Sequence, residues 1–247
     1  NYKNIKWKLA TAEKLPFKSS YGFTYSLSRV SMLEAILWDN DGVLVDTEKL
    51  YFQACREELQ AQGVEIDEAD FADAFLTTSE GIQAFVGHLD EVEFAALRDR
   101  RNERYSALLQ CGVEPIARVE QTLQALRGKV RMGVVTSSRG DHFEMIHAST
   151  GLLAYFDFVL VREDYEMSKP DPEPYLAAMQ RHGLTADECM VVEDSERGLR
   201  AAVAAGLRCV VIPKGMTRAS DFSKAYAVLD DINELAPLAL TLMQEKK

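Results

Sequence analysis

The sequence has no Cys-x-x-Cys pair, no excess of basic charge, no internal repeat and no low-complexity tract. Each absence removes a class of protein. Its four cysteines, Cys55, Cys111, Cys189 and Cys209, are scattered through apolar helical or strand-like stretches. That speaks against thiolate metal centres and disulfide frameworks, and reads as buried, reduced thiols of a cytoplasmic protein. No stretch approaches the roughly 18 to 20 consecutive apolar residues of a membrane helix, so no membrane partner is expected. A net charge of −11 repels nucleic acid and anionic surfaces over most of the molecule, whereas a small anionic ligand needs only a local cationic pocket. The four histidines, His88, His142, His147 and His182, lie in helical patterns without ligand spacing and read as surface or packing residues.

What is present divides into a short extension and a long body. Residues 1–31 carry six basic residues and one acid, Glu13, with aromatics that follow no period. They read as a flexible N-terminal extension, with an organelle-targeting segment as the alternative, ahead of a domain that begins at Met32. The body is long enough to bury a full core. It opens with a mostly apolar run over 33–38 that ends in a cluster of acids, as a buried parallel strand does when it delivers chemistry at its C-terminal end. Similar runs recur over 130–135, 156–161, 189–192 and 208–212, which gives five strands.

Helical patterns over 118–126, 141–150, 174–182 and 195–205 lie between them, the last closed by Gly206. Strands alternating with such helices predict a parallel sheet with helices on both faces, which binds ligands at the carboxyl ends of its strands. One interval breaks the alternation. Residues 48–62, 67–76, 79–89 and 91–109 show only helical patterns, so an all-helical insert follows the first strand as a cap over the strand ends. The expected division is a core of 32–46 and 111–247 and a cap of 47–110.

Four segments carry chemistry. Asp39 and Asp41, two apart at a strand end, cannot both be comfortable anions unless a cation or a proton separates them. Thr136, Ser137, Ser138 and Arg139 follow the second strand with hydroxyls able to donate to phosphate oxygens, although such residues also cap helices. Lys169 sits in Ser168-Lys169-Pro170-Asp171-Pro172, a proline-fixed loop where a compact positive charge can neutralise phosphate. Glu193 and Asp194 end another buried strand, and hard oxygen ligands on stiff backbone are what magnesium requires. Trp38 reads as core packing.

In order and spacing these segments resemble the haloacid dehalogenase superfamily from Leu33 onward. The helical insert is similar to that family's first cap type, as in beta-phosphoglucomutase and in sugar-phosphate and phosphoglycolate phosphatases. The resemblance implies an α/β, Rossmann-like core and a magnesium-dependent phosphatase acting on a small phosphorylated metabolite. It implies Asp39 as a nucleophile that forms an aspartyl-phosphate, and Asp41 as general acid and then base. Thr136, Ser137 and Lys169 would bind the transferring phosphoryl group. Asp39, Glu193 and Asp194, with the backbone carbonyl of Asp41, would hold Mg2+, while Gly42, Val43 and the turn at Asp46 and Thr47 would form flap and hinge. Ser138 and Arg139 match positions near the second motif that hold a substrate's distal group.

The acid at Asp41 sets the chain apart from the superfamily's dehalogenases and phosphonate hydrolases. Glu80 stands where the sugar mutase carries an arginine for a distal phosphate, which disfavours the mutase alternative. A non-catalytic binding protein on the same fold is the alternative of another class, and oligomeric state is left open.

Overall fold

All four side chains of β1 (Ala35–Trp38) are buried, Ala35 and Leu37 on one face of a sheet and Ile36 and Trp38 on the other. Burial on both faces is why the segment reads as a continuous apolar run rather than an alternating one. The computed structural model describes residues 32–78 and 80–244; the extension expected over 1–31 lies outside them.

β2 (Arg131–Val135), β3 (Phe158–Leu160), β4 (Cys189–Glu193) and β5 (Arg208–Val211) fall within a residue or two of the expected runs. A sixth strand of two residues, β6 (Ala227–Val228), pairs with β5 and is too short to show in a periodic pattern. The sheet is parallel throughout, in the order β3-β2-β1-β4-β5-β6. The chain steps outward from β1 to β3, then returns to the other side of β1 for β4 to β6. The switch point therefore lies between β1 and β4, where a crevice opens at the carboxyl ends of the strands.

The core helices cover both faces. α4 (Val119–Leu126), α5 (Gly140–His147) and α8 (Leu235–Gln244) pack with Ile36, Trp38, Met132 and Met190. α6 (Glu173–His182) and α7 (Glu196–Ala204) pack with Leu37, Val135, Val191 and Val211. Trp38 meets Phe156 edge to face at 6.2 Å in this core. Gly133 on β2 lets the Phe158 ring lie across it, since a Cβ there would come within 2.1 Å of the ring.

Between β1 and α4 stand α1 (Glu48–Gln60), α2 (Glu68–Phe71) and α3 (Glu91–Leu109), around a separate apolar cluster that includes Phe52, Leu59, Phe71, Phe75 and Leu97. Asp67 and Asp90 start α2 and α3 by accepting from the backbone N–H groups of the first turn. Two segments depart from expectation. α2 passes into a π-helical turn, Ala72–Thr77, and the helix expected over 79–89 is, among the described residues, only a 3-10 turn at Gly81–Phe85. Gly81 at φ +63° leaves the right-handed region and stops propagation. Cys55, Cys189 and Cys209 are buried free thiols, whereas Cys111 is exposed just past α3, a correction to the expectation of four buried ones. Among the described residues no helix is long and apolar enough to cross a membrane.

Candidate active site

The four chemistry-bearing segments meet at the carboxyl ends of β1, β2 and β4, on the switch point. Asp39 follows β1 directly, Thr136 to Arg139 follow β2, Lys169 comes from the loop before α6, and Glu193 ends β4 with Asp194 next. Lys169, 3% exposed, donates from Nζ to Asp39 Oδ1 at 2.7 Å, to Glu193 Oε1 at 2.7 Å and to the Val135 carbonyl at 2.9 Å. Its three donors are thereby used. Burial opposes charge on the lysine, but the two carboxylates outweigh it and hold the ammonium protonated.

Glu193 is fully committed. Its Oε1 also accepts from the Tyr175 hydroxyl at 2.7 Å, and its Oε2 accepts from the Asp194 N–H at 3.3 Å and the Ser195 hydroxyl at 3.2 Å. Burial raises its pKa, yet Lys169 wins and holds it below the usual carboxylate range. Gly198 is required here, because a Cβ would lie 1.9 Å from the Glu193 carboxyl carbon.

Asp39 is pushed up to about 7, first by burial and then by Glu193, with Lys169 opposing both. Asp194 is raised well above the usual range by burial, then by Glu48. Its Oδ2 is buried without a hydrogen-bond partner and packs against Gly42, where an added Cβ would come within 2.0 Å. Glu48, at the start of α1, is itself pushed up to about 7 by burial and by the surrounding aspartates. Sequence reasoning missed Glu48, because an acid in the first turn of a helix is an ordinary dipole partner.

Ligand oxygens of Asp39, Glu193 and Asp194 lie within 4.8 Å of one another. With Asp41 and Glu48 beside them, these acids pair with Lys169 alone among the described residues. An orphaned buried carboxylate oxygen in such a surplus of acid fits a hard divalent cation.

Asp41 is held by hydroxyls. Ser138 Oγ donates to its Oδ2 at 2.6 Å, Thr136 Oγ1 reaches the same oxygen at 3.4 Å, and the Thr47 hydroxyl donates to Oδ1. Thr136 also accepts from the Ser138 N–H at 3.0 Å, so its hydroxyl closes the turn after β2. Ser137 Oγ is buried with no partner among the described residues and lines the cavity. Arg139 is engaged by Asp141 through two bonds of 3.0 and 2.8 Å, both side chains about half exposed.

The cavity above these groups measures about 310 Å³, at the small end of ligand sites. Asp39, Asp41 and Asp194 form its floor; Tyr51, Phe71, Phe75 and Leu76 form an apolar wall from the insert. Arg98 and Arg101 of α3 and Arg197 of α7 also line it, and none of the three has a carboxylate partner among the described residues. Arg101 is buried, stacks over Tyr51 at 4.9 Å and donates to the neutral Asn102 amide. In a chain of net charge −11, uncompensated guanidiniums gathered in one cavity suit an anionic ligand.

Of the histidines expected to be surface or packing residues, His142 lines the cavity and His147 is buried behind Asn40. His142 of α5 bonds Ser106 of α3 at 3.1 Å. His147 bonds the Asn40 side chain at 2.7 Å. His182 stacks on Phe158 at 3.6 Å, and His88 is exposed.

Comparison with known proteins shows the family. A family model described as haloacid dehalogenase-like hydrolase matches residues 36–212. The chain is 32% identical over 221 residues to Protein CbbY of Cereibacter sphaeroides, covering 84% of this chain and 96% of that protein. It is 32% identical over 178 residues to the fructose-1-phosphate phosphatase YqaB of Escherichia coli, covering 71% and 94%. The crystal structure of CbbY from Rhodobacter sphaeroides in complex with phosphate superposes with a TM-score of 0.73 at 29% identity, covering 83% of this chain and 96% of that one.

Proposed function

Because the chain belongs to the haloacid dehalogenase-like hydrolases, we propose that it is a phosphatase of a small phosphorylated metabolite, a sugar phosphate, working through an aspartyl-phosphate on Asp39. The observation that carries this reading is Asp39 on the floor of a cavity that also holds Asp41 and a free Ser137 hydroxyl, with the buried Lys169 paired to it from behind at 2.7 Å. The relative named as a fructose-1-phosphate phosphatase supports the sugar-phosphate class.

In the first step an Asp39 carboxylate oxygen bonds to phosphorus while the bond from phosphorus to the substrate's ester oxygen breaks. Asp41 gives its proton to that oxygen, so the product leaves as a neutral alcohol. In the second step water attacks the aspartyl-phosphate, its proton passes to Asp41, and inorganic phosphate and the free Asp39 carboxylate are released. Lys169 neutralises charge on the phosphoryl oxygens, and Ser137 donates to one of them. Glu193, with both oxygens occupied, keeps Lys169 in place. Asp39 and Asp194, with the backbone carbonyl of Asp41, would hold magnesium, which when bound supplies further neutralisation of phosphoryl charge. The insert walls the cavity from bulk water.

Purified protein with magnesium is expected to hydrolyse an aryl phosphate and small sugar phosphates, with label from isotopic water appearing in the released phosphate. Asp39→Asn is expected to reduce kcat by about 10³-fold or more. Unchanged turnover in that variant would overturn the reading.

A further inference from the structure

Asn40, between the two catalytic aspartates, is fully buried in a loop where small polar residues usually face solvent. Its amide is not idle. Nδ2 donates to Asp41 Oδ2 at 3.2 Å, and Oδ1 lies 2.7 Å from His147 Nε2. With Nδ2 facing the Asp41 carboxyl, the amide oxygen faces the histidine and can only accept from it. His147 therefore carries its proton on Nε2. Its Nδ1, 2.8 Å from Thr150 Oγ1, is then a lone pair that accepts from the threonine hydroxyl. The Thr150 oxygen in turn accepts from the Leu152 N–H at 3.3 Å. Every donor in the chain points one way: Thr150 to His147, His147 to Asn40, Asn40 to Asp41.

The ring is fixed in place as well as in tautomer. His147 ends α5, is 6% exposed, and lies against Phe143 with ring centroids 4.5 Å apart. Burial depresses its pKa to about 4, so it stays neutral near pH 7 and keeps an acceptor on Nδ1. A charged imidazolium would present two donors and break the Thr150 link.

Resting on the general-acid reading of Asp41 above, we propose that His147, acting through Asn40, is a positioning residue for proton transfer by Asp41. The relay fixes the Asp41 carboxyl from behind, while the Ser138 and Thr47 hydroxyls fix it from the side of the cavity. A carboxyl free to rotate would present its proton to the leaving oxygen for only part of the time, and orientation of a catalytic group is a large share of its effect. The consequence depends on the leaving group. An alkoxide needs the proton; a nitrophenolate leaves without one.

The test compares kcat/KM for an alkyl phosphate, such as glycerol phosphate or a sugar phosphate, with that for nitrophenyl phosphate, in the full-length protein with magnesium. This parameter reports events up to phosphoryl transfer and omits the later hydrolysis common to both substrates. The control is Asp41→Asn, expected to lower the ratio of alkyl to nitrophenyl kcat/KM by about 10²-fold, the contribution of a general acid.

His147→Leu is expected to lower the same ratio by about 10-fold, and His147→Gln, which restores a donor at the reach of Nε2, to recover most of it. Thr150→Val, which frees the tautomer without removing the ring, is expected to shift the ratio in the same direction by less. A ratio unchanged in His147→Leu, with both substrates affected alike or not at all, would overturn the relay. Should His147→Leu fail to fold, an unchanged ratio in Thr150→Val decides against it equally. Failure of Asp41→Asn to bias the ratio removes the general-acid premise, and a wild type inactive on both substrates removes the phosphatase reading.

Discussion

The two flanks of Asp39 settle their charge differently. On one, Lys169 sits between Asp39 and Glu193 at 2.7 Å from each, and every oxygen of Glu193 has a donor. On the other, Asp194 and Glu48 face each other with no paired cation among the described residues, and Asp194 keeps a buried oxygen without a partner. Breaking a buried ion pair by removing one member costs more than leaving two acids to share protons, because an uncompensated charge stays behind. The first flank is thus finished by the chain itself, and the second leaves its acids without a counter-ion among the described residues. The same contrast explains why Glu193 ionises readily and Asp194 does not, although the two are adjacent in sequence.

The sharpest way to break this comparison is to remove the internal cation. Lys169→Met strands Asp39 and Glu193 together, and its unfolding free energy in urea is expected to drop by about 3–5 kcal/mol. Equal stability to wild type would mean that the pair is not the keystone of its flank. Asp194→Asn should act in the opposite sense: without metal it is expected to melt no lower than wild type. Magnesium at 100 times its dissociation constant should then stabilise the wild type by about 2.7 kcal/mol and the variant far less. A magnesium response undiminished in Asp194→Asn would place the ion elsewhere.

Gly42→Ala tests how tightly the open flank is built. Gly42 has φ +78°, and the new Cβ would meet Asp194 Oδ2 at 2.0 Å. A loss of about 1–3 kcal/mol is expected from strain and displacement together, with weaker magnesium affinity. Stability equal to wild type would show that Asp194 moves freely.

The smallest effect concerns pH. His147 has its folded pKa lowered to about 4 from an ordinary value near 6.5, so the unfolded chain binds the extra proton between these values. Its contribution is whole above about pH 6.5 and is lost as pH falls toward 4. His147→Gln, which cannot titrate, is therefore expected to lose less stability than wild type between pH 7 and 5, by on the order of 1 kcal/mol. Parallel pH profiles in urea would contradict that burial.

Much of this molecule is legible in its sequence. Five strands, four of the core helices and the long helix α3 announce themselves through apolar period and capping residues, whereas α8 is not among the expected helical patterns; the acids at the ends of β1 and β4 stand out because nothing in a buried strand prepares for them. The departures have local causes: Gly81 stops a helix that the apolar pattern favoured, and the two residues of β6 pair only because β5 offers an edge. Glu48, Tyr175, Arg197 and His147 were not legible as site residues. Each sits in a helix where its type is unremarkable, and its role comes from a partner far away in the chain.

The sequence by itself determined where five strands lie along the chain, the placing of a helical insert after the first of them, and the carboxylates, hydroxyls and lysine near the strand ends. Hydrophobic period and motif spacing are local quantities that survive without a fold. Tertiary structure alone decided which carboxylate receives the lysine, which keeps a free oxygen, and which histidine steadies Asp41. Lys169 and Asp39 are 130 residues apart, and His147 and Asn40 are 107 apart. Desolvation and hydrogen-bond geometry at such pairs exist only once the switch point of the sheet has brought them within 3 Å, and no spacing along the chain encodes them.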